Sequence, residues 1–255
     1  MPSPCPALPP LPSHIEAALW RGHAMGRAHA SVMASGHAAL DAVLPDGGWP
    51  CQSLTEILSR QTGQGEWRLL QPVLQRLCAQ GGQLILVGPP LQPFLPALWQ
   101  ADLPADRLIR VEAHTPAERL WVTEQALKSD CVSAVLSWLP QARPEHMRRL
   151  HACAAQHAGL LFAFRPEQAR QESSAAPLRL SLSLQAFPHA LCVDVFKRKG
   201  PVLSEPIVLS AWPSKMQALL RTRQRRPQAP ALPAPALASP THHAPLDRIV
   251  ASSLA

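Results

Sequence analysis

The chain contains no tyrosine or asparagine, and no apolar run long enough to cross a bilayer, although 47% of its 255 residues are hydrophobic. Its first residues carry neither the positive charge nor the apolar stretch of a secretory signal. Its six cysteines include no Cys-x-x-Cys pair and sit mostly in apolar segments, which is typical of reduced core thiols. These absences predict a soluble cytoplasmic protein that makes no contact with a membrane.

One group of residues has a composition that a metal site could use. His151, Cys153 and His157 lie close together in a segment predicted to be helical. Positions i, i+2 and i+6 of a helix point in different directions, so the three side chains cannot converge on one ion. The sequence therefore predicts no metal site.

Two Pro-rich ends flank a centre with a regular pattern. Residues 1–13 are predicted to be disordered, residues 14–34 to form a helix, residues 35–215 to form one domain, and residues 216–255 to form a disordered tail that is first basic and then rich in Pro and Ala. The formal charge of +7 makes nucleic acid or an acidic protein a plausible partner.

The central domain alternates short apolar runs with segments of helical periodicity, which predicts an α/β fold with a mostly parallel sheet. Thr115 and Glu118 are spaced as a capping box, with Pro116 at the first helical position. Further on, leucines at positions 178, 180, 182 and 184 alternate strictly with polar residues. This period of two predicts antiparallel strands at the edge of the sheet.

The segment after the first predicted strand, Ser53–Leu58, has the layout of a nucleotide-binding phosphate loop. Such a loop reads Gly-x-x-x-x-Gly-Lys-Ser/Thr and leads into a helix. Gly63 and Gly65 occupy glycine positions after Ser59, but Glu66 and Trp67 stand at the lysine and hydroxyl positions. If Gly63 is the last glycine instead, Gln64 and Gly65 stand there, and neither register restores the site.

The other residues that ATP hydrolysis requires are also missing. The second strand ends at Val87–Pro90 and the third at Val135–Trp138, without the carboxylates that polarise water and hold Mg²⁺. A carboxylate about 4 Å from a phosphate charge costs about 4 kcal/mol at an effective dielectric of about 20. That is an upper figure, because an exposed Glu66 would be able to turn away. The sequence predicts no catalytic residue, no cofactor and no enzymatic activity.

The residues before this loop carry a family resemblance. The segment SGHAALDAVLPDGGWPCQSLTEI resembles the approach to the phosphate loop in the RecA family, and it implies a RecA-like P-loop-type core with a degenerate loop. The matching residues are Ser35, Gly36, Leu40, Asp41, Leu44, Gly47, Gly48, Pro50, Glu56 and Ile57.

Later segments, including GEWRLLQPVLQRL, VGPPLQPFLPAL and VFKRKG, resemble a narrower group, the ImuA proteins of bacterial mutagenesis cassettes. This resemblance implies a non-catalytic scaffold in SOS-induced, error-prone translesion DNA synthesis and the response to DNA damage. The implied partners are an ImuB-type inactive Y-family polymerase homologue, an error-prone DnaE-type polymerase and RecA, with DNA as a further candidate.

Two alternatives belong to other functional classes. SulA is also a RecA-like protein without the phosphate-loop residues, so the chain could be an SOS inhibitor of cell division that acts on the division GTPase FtsZ. The length of the chain and its lead-in favour ImuA. The second alternative is an ATPase with unusual residues, which predicts thermal stabilisation by nucleotide.

Two basic groups are candidate contacts for DNA or a partner protein. Lys197, Arg198 and Lys199 lie at the end of a predicted strand, where a solvated hairpin tip is an equal alternative. The second group lies in the C-terminal segment, where a charged junction into the tail is the simpler explanation, and comprises Arg221, Arg223, Arg225 and Arg226. The seven tryptophans are predicted to be core residues, except that Trp49 and Trp67 flank the loop and could anchor an interface.

Overall fold

The computed structural model describes residues 31–63, 65–185, 190–201 and 203–210. The predicted disordered N-terminal segment and C-terminal tail lie outside these residues, as does most of the helix predicted over residues 14–34. That helix does not extend to its predicted end, because Val32–Met33 form a strand, β1, that pairs antiparallel with β2, Trp49–Pro50. The hydrogen bond from Cys51 N to Ser31 O extends this pairing by one step.

The main sheet has eight strands in the order β10-β9-β8-β3-β7-β6-β4-β5. Strands β3 to β8 pair in parallel, while β9 is antiparallel to both β8 and β10. The strands are β3 Leu54–Ser59, β4 Gln83–Val87, β5 Leu108–Val111, β6 Val132–Trp138, β7 Leu160–Pro166, β8 Leu178–Leu184, β9 Ala190–Lys197 and β10 Ile207–Ser210.

Five α-helices and three short 3₁₀ segments connect the strands within the described residues. The helices are α1 Ala38–Asp41, α2 Glu66–Ala79, α3 Leu95–Gln100, α4 Pro116–Leu127 and α5 Pro144–Ala154, and the 3₁₀ segments are Pro45–Gly47, Ala105–Arg107 and Glu167–Gln171. The predicted capping box of α4 is confirmed, because Thr115 Oγ1 accepts from Glu118 N while Glu118 Oε2 accepts from Thr115 N.

The two faces of the sheet bury separate cores. One core contains the apolar side of α2, Leu98 of α3, and strand residues such as Leu84 and Leu86. The other contains the inner sides of α4 and α5 and Val87, with Ile85 packed against it. Since neighbouring strand residues point to opposite faces, α2 and α3 lie on one face of the sheet and α4 and α5 on the other.

Two glycines in the segment that resembles the RecA approach to the phosphate loop permit close packing against the rest of the domain. Gly36 has φ of +85°, and a Cβ there would collide with the Pro72 ring of α2. A Cβ on Gly48 would lie 2.5 Å from the Met33 carbonyl oxygen. The pattern that resembles the RecA approach thus has a packing role in this chain. The assignment of the sheet as a RecA-like core stays a prediction.

No helix within the described part of the chain is long and apolar enough to span a membrane.

Candidate functional site

The loop between β3 and α2 lies at the carboxyl edge of the parallel strands. Ser59 ends β3 and is buried, and Glu66 is the first residue of α2. Gly63 and Gly65 have φ of +87° and +96°, in the left-handed region that glycine adopts without strain. The strand, the turn and the helix therefore lie where the sequence predicts them.

Glu66 is folded back into this loop. Its residue exposure is only 2%, and Oε1 accepts a hydrogen bond of 2.8 Å from Gly63 N. Burial raises the pKa of the carboxyl, while hydrogen bonds from the backbone of Gly63 and Glu66 act in the opposite direction. Oε2 is buried without a partner among the described residues. The expectation that Glu66 is exposed and able to turn away is wrong.

The carboxylate occupies the position at which a phosphate-binding loop presents backbone N–H groups to its ligand. A phosphate oxygen would have to displace Glu66 Oε1 from Gly63 N, and the displaced acid would remain beside it. The Gly63 N–H donor of this loop is thus already hydrogen-bonded within the chain.

Apolar side chains from other parts of the chain lie beside the loop. A Cβ on Gly63 would lie 3.2 Å from Leu91 Cδ1, so Leu91 lies over the turn. A Cβ on Gly65 would lie 2.6 Å from Leu191 Cδ1, which places β9 on the opposite side. Trp67 is partly buried and packs against the core that contains α2. These contacts place apolar side chains beside both glycines of the loop.

An arginine lies at the neighbouring strand ends, where a nucleotide hydrolase has carboxylates. Arg119 of α4 donates from Nε to Ala113 O at 3.0 Å and from Nη1 to Trp138 O at 2.9 Å. A Cβ on Gly88 would lie 2.9 Å from Arg119 Nε. One guanidinium therefore links the ends of β4, β5 and β6, and a cation at this place opposes binding of Mg²⁺.

The most exposed apolar surface within the described residues surrounds α3. Phe94 is 71% exposed, Leu91 68% and Trp99 66%, and Leu95 is also exposed. Leu95 and Trp99 are four residues apart and share one side of the helix. Leu98 on the other side is buried and anchors α3 to the core. We name Leu91, Phe94, Leu95 and Trp99 the α3 patch.

The sequence does not reveal the exposed side of α3, and the prediction that Trp49 and Trp67 could anchor an interface is wrong. Trp49 is fully buried in an edge-to-face contact with Phe162, and Trp67 is part of the core packing. The exposed tryptophans in the described part of the chain are Trp99 and Trp121. The only sequence pattern around these two tryptophans is the helical spacing of apolar residues, and this spacing does not by itself distinguish the buried side of a helix from the exposed side.

The first basic group lies at the end of β9. Lys197 Nζ donates to Ser174 O at 2.7 Å, and burial, followed by repulsion from Arg179, lowers the pKa of this lysine. Arg198 donates to the carbonyl oxygens of Pro201 and Val43, and Lys199 is exposed. The second group, Arg221, Arg223, Arg225 and Arg226, lies outside the described residues. The role of both groups as partner contacts stays a prediction.

Within the described residues, no cluster of His, Cys, Asp and Glu side chains could hold a metal ion. Burial lowers the pKa values of His151 and His157, and Nε2 of His157 has no hydrogen-bond partner in the described part of the chain.

Comparison with known proteins identifies similarity to one family. The family model described as cell division inhibitor SulA matches residues 53–160, which is less than half of the chain. This segment runs from the start of β3 into β7 and includes the loop, Arg119 and the α3 patch.

Individual relatives carry the same name. The cell division inhibitor SulA of Photorhabdus laumondii is 30% identical over 115 residues, which cover 45% of this chain and 65% of that protein. The SulA of Pectobacterium atrosepticum is 33% identical over 107 residues, covering 41% and 63%, respectively. The SulA of Yersinia enterocolitica is 28% identical over 135 residues, covering 51% and 79%. The chain thus spans just under two thirds of the length of the first two relatives.

These matches correct the interpretation of the sequence as ImuA and as a translesion-synthesis scaffold. The family model and the relatives bear the name SulA, so the polymerase partners, RecA and DNA that the ImuA resemblance implied have no support. The relatives' name describes an inhibitor and specifies no reaction. The similarity of this chain is to cell division inhibitors named SulA, over the segment that carries the loop and the α3 patch.

Proposed function

We propose that this chain is a SulA-like, SOS-associated inhibitor of cell division that acts in the cytoplasm by binding FtsZ through the α3 patch. The observation that carries the proposal is that four large apolar side chains between positions 91 and 99 are exposed, within the segment matched by the SulA family model. Patches of this kind on a folded domain mark interaction sites, because their exposure to water is unfavourable.

The α3 patch has the composition of an interface centre. Aromatic residues are enriched at such centres, and Phe94 and Trp99 supply two of them on a short helix held by buried Leu98. Burying a large apolar side chain contributes about 1.5–3 kcal/mol. Two or three such side chains would supply a substantial part of the free energy of a micromolar complex, about −8 kcal/mol.

The loop between β3 and α2, closed by Glu66, is compatible with inhibition by binding alone. Glu66 holds Gly63 N, and the Arg119 guanidinium lies at the adjacent strand ends. An inhibitor that acts through contact needs no nucleotide turnover, so neither feature conflicts with the proposal. We expect Mg²⁺-ATP to leave the melting temperature of the chain unchanged.

The RecA-type origin of the sheet is part of this proposal. The support is the succession of β3, a glycine-containing turn and α2, together with the lead-in that resembles the RecA family. An experimental structure that superposes on a RecA core with the loop in register would test it. A different strand connectivity would refute it.

The binding test uses purified FtsZ, with co-sedimentation and GTPase turnover as measurements. We expect the chain to reduce FtsZ polymer and GTP hydrolysis, and we expect Trp99→Ala and Phe94→Ser to weaken this effect at least about tenfold. The matched control is Val208→Ser on β10, which removes an apolar side chain that is 58% exposed at the other edge of the sheet.

A cellular test gives the same contrast. Overexpression of the chain should produce filamentous cells, the Trp99→Ala variant should not, and the Val208→Ser variant should. The proposal is wrong if cells divide normally with all three proteins present at equal amounts, or if FtsZ binds the wild type and the Trp99→Ala variant equally.

A further inference from the structure

A second surface lies on the face of the sheet opposite to α3. An open groove of about 760 Å³ runs between α4 and α5. Pro116, Leu120 and Trp121 line it from α4. Arg143 lines it from the N-cap of α5, and His146 and Arg149 line it from the first two turns of that helix. We name these six residues the α4–α5 groove. Neither the SulA similarity nor the closed loop explains its composition.

The α4 side of the groove is apolar and includes an exposed aromatic residue. Trp121 is 62% exposed, although α4 buries Thr123, Ala126 and Leu127 on its inner side. Pro116 and Leu120 lie along the same wall. An exposed tryptophan offers a large rigid contact area that loses little conformational entropy on binding. This wall is suited to one apolar or aromatic side chain of a ligand.

The α5 side of the groove is basic and partly preorganised. Arg149 Nε and Nη2 lie 2.5 and 2.6 Å from the two carboxylate oxygens of Glu124, which is almost fully buried. This two-point contact fixes the guanidinium, while 69% of the Arg149 side chain remains exposed. A side chain that is already ordered loses less entropy when it binds a second anion.

Two further donors surround the start of α5. His146 Nδ1 accepts from Arg143 N at 3.1 Å, so the proton of a neutral imidazole is on Nε2 and is available as a donor. Arg143 is exposed, and its contact with Glu145 is 4.0 Å long between two exposed side chains, which makes it weak. The side chain of the N-cap residue Arg143 forms no capping hydrogen bond at the start of α5, whose dipole adds positive potential there.

We propose that the α4–α5 groove binds an acidic peptide segment of a second protein, with an apolar side chain of the peptide on Trp121 and its carboxylates at Arg143, His146 and Arg149. The basic wall fits carboxylates and the apolar wall fits a side chain, which together describe a peptide. Nucleic acid fits less well, because its binding depends on neutralising many phosphates, and this groove offers only two arginines.

The two surfaces lie on opposite faces, so a chain that binds a division protein through α3 would still present this groove. The proposal is therefore independent of the proposed function. A protein with both surfaces could join its target to another component.

The experiment selects ligands from a random peptide display library on the purified full-length chain. We expect selected peptides to be rich in Asp and Glu and to share one aromatic or large aliphatic residue. The affinity of a labelled consensus peptide is then measured by fluorescence anisotropy. Trp121→Ala and Arg143→Glu should each weaken binding at least about tenfold, and Trp121→Phe should restore most of it.

Arg148→Glu is the matched charge control. Arg148 is exposed on α5, next to Arg149 in sequence, and is not part of the groove lining. It changes the net charge as much as Arg143→Glu does, so it should weaken binding less than about threefold if the site is specific. Thermal melts of all variants establish that they fold.

Three outcomes would overturn the proposal. The first is that the selected peptides share no acidic character. The second is that Arg148→Glu weakens binding as much as Arg143→Glu, and the third is that an oligothymidine strand binds the groove more tightly than the consensus peptide. The last result would assign the groove to single-stranded nucleic acid. Loss of FtsZ binding alone would refute the proposed function and leave the groove intact.

Discussion

Arg179 Nε lies 2.6 Å from Glu56 Oε2 at the centre of the sheet, between two residues that are 123 positions apart in the chain. Arg165 Nη1 donates to the other oxygen of Glu56 at 2.7 Å. All three residues are buried, and Glu172 accepts from Arg165 Nη2 at the edge of this group. Two carboxylates and two guanidinium groups thus balance their charge inside the fold.

Replacing Glu56 should destabilise the chain strongly. Glu56→Ala would leave two buried arginines with Glu172 as their remaining carboxylate, and removal of one partner from a buried ion pair costs about 3–5 kcal/mol. Urea denaturation measures the loss. The control is Glu112→Ala, which breaks an exposed pair with Arg110 and should cost at most about 1 kcal/mol. Equal losses of unfolding free energy in both variants would show that the buried ion pairs of Glu56 contribute no more to stability than an exposed pair.

Glu66→Gln should stabilise the protein near neutral pH. Because burial raises the pKa of Glu66 above its ordinary 4.5, the wild type loses stability as pH rises from that value through the folded pKa. Glutamine keeps an oxygen for Gly63 N and carries no charge. The free energy of unfolding, measured by urea at several pH values, should favour the variant increasingly with pH. A constant difference across the range would contradict this explanation.

Local sequence patterns predicted the parts of the fold that local interactions determine. The glycines at positions 63 and 65 and the cap formed by Thr115 and Glu118 lie where expected, because turns and caps depend on neighbouring residues. Arg179 did not follow its pattern. It falls on the polar side of a strand with period two, yet it is buried because it pairs with Glu56, its register partner on the adjacent strand β3, which is distant only in sequence.

The exposed side of α3 was also beyond local prediction. An apolar helix of six residues has too few positions to reveal which side faces the core, and the contacts of Leu98 and Leu103 decide it. The closure of the loop by Glu66 likewise depends on contacts that form only in the folded structure. The sequence shows that lysine is absent, but the direction of the glutamate side chain depends on the Gly63 N–H that it reaches.

The stability of the chain should fall in mildly acidic solution because of His157. Burial lowers the pKa of this side chain more than hydrogen bonding to the Leu127 carbonyl and the charge of Asp130 raise it. The unfolded chain therefore binds the proton first, and stability is lost as pH falls below about 6.5. A Cβ on Gly159 would lie 2.7 Å from Nε2, so the backbone of Gly159 packs closely against the imidazole ring.

The measurement for His157 is the melting temperature between about pH 7.5 and 5.5. We expect a decrease for the wild type and a smaller one for His157→Gln, which cannot take up the proton. Burial also lowers the pKa of His151, with a further contribution from Lys197, so the double variant with His151→Gln should be flatter still. An unchanged slope in the double variant would assign the pH dependence to other groups.

Arg119 should act as a structural link and not as a nucleotide ligand. Its two hydrogen bonds hold the carbonyls of Ala113 and Trp138, so Arg119→Ala should lower the free energy of unfolding by about 1–3 kcal/mol. Arg119→Met removes the donors but keeps much of the length, and it should cost nearly as much, whereas Arg119→Lys should recover part of the loss. If the Arg119 guanidinium instead bound a phosphate group, Mg²⁺-ATP would raise the melting temperature of the wild type but not that of the variants. Melting temperatures measured with and without Mg²⁺-ATP therefore distinguish the two explanations.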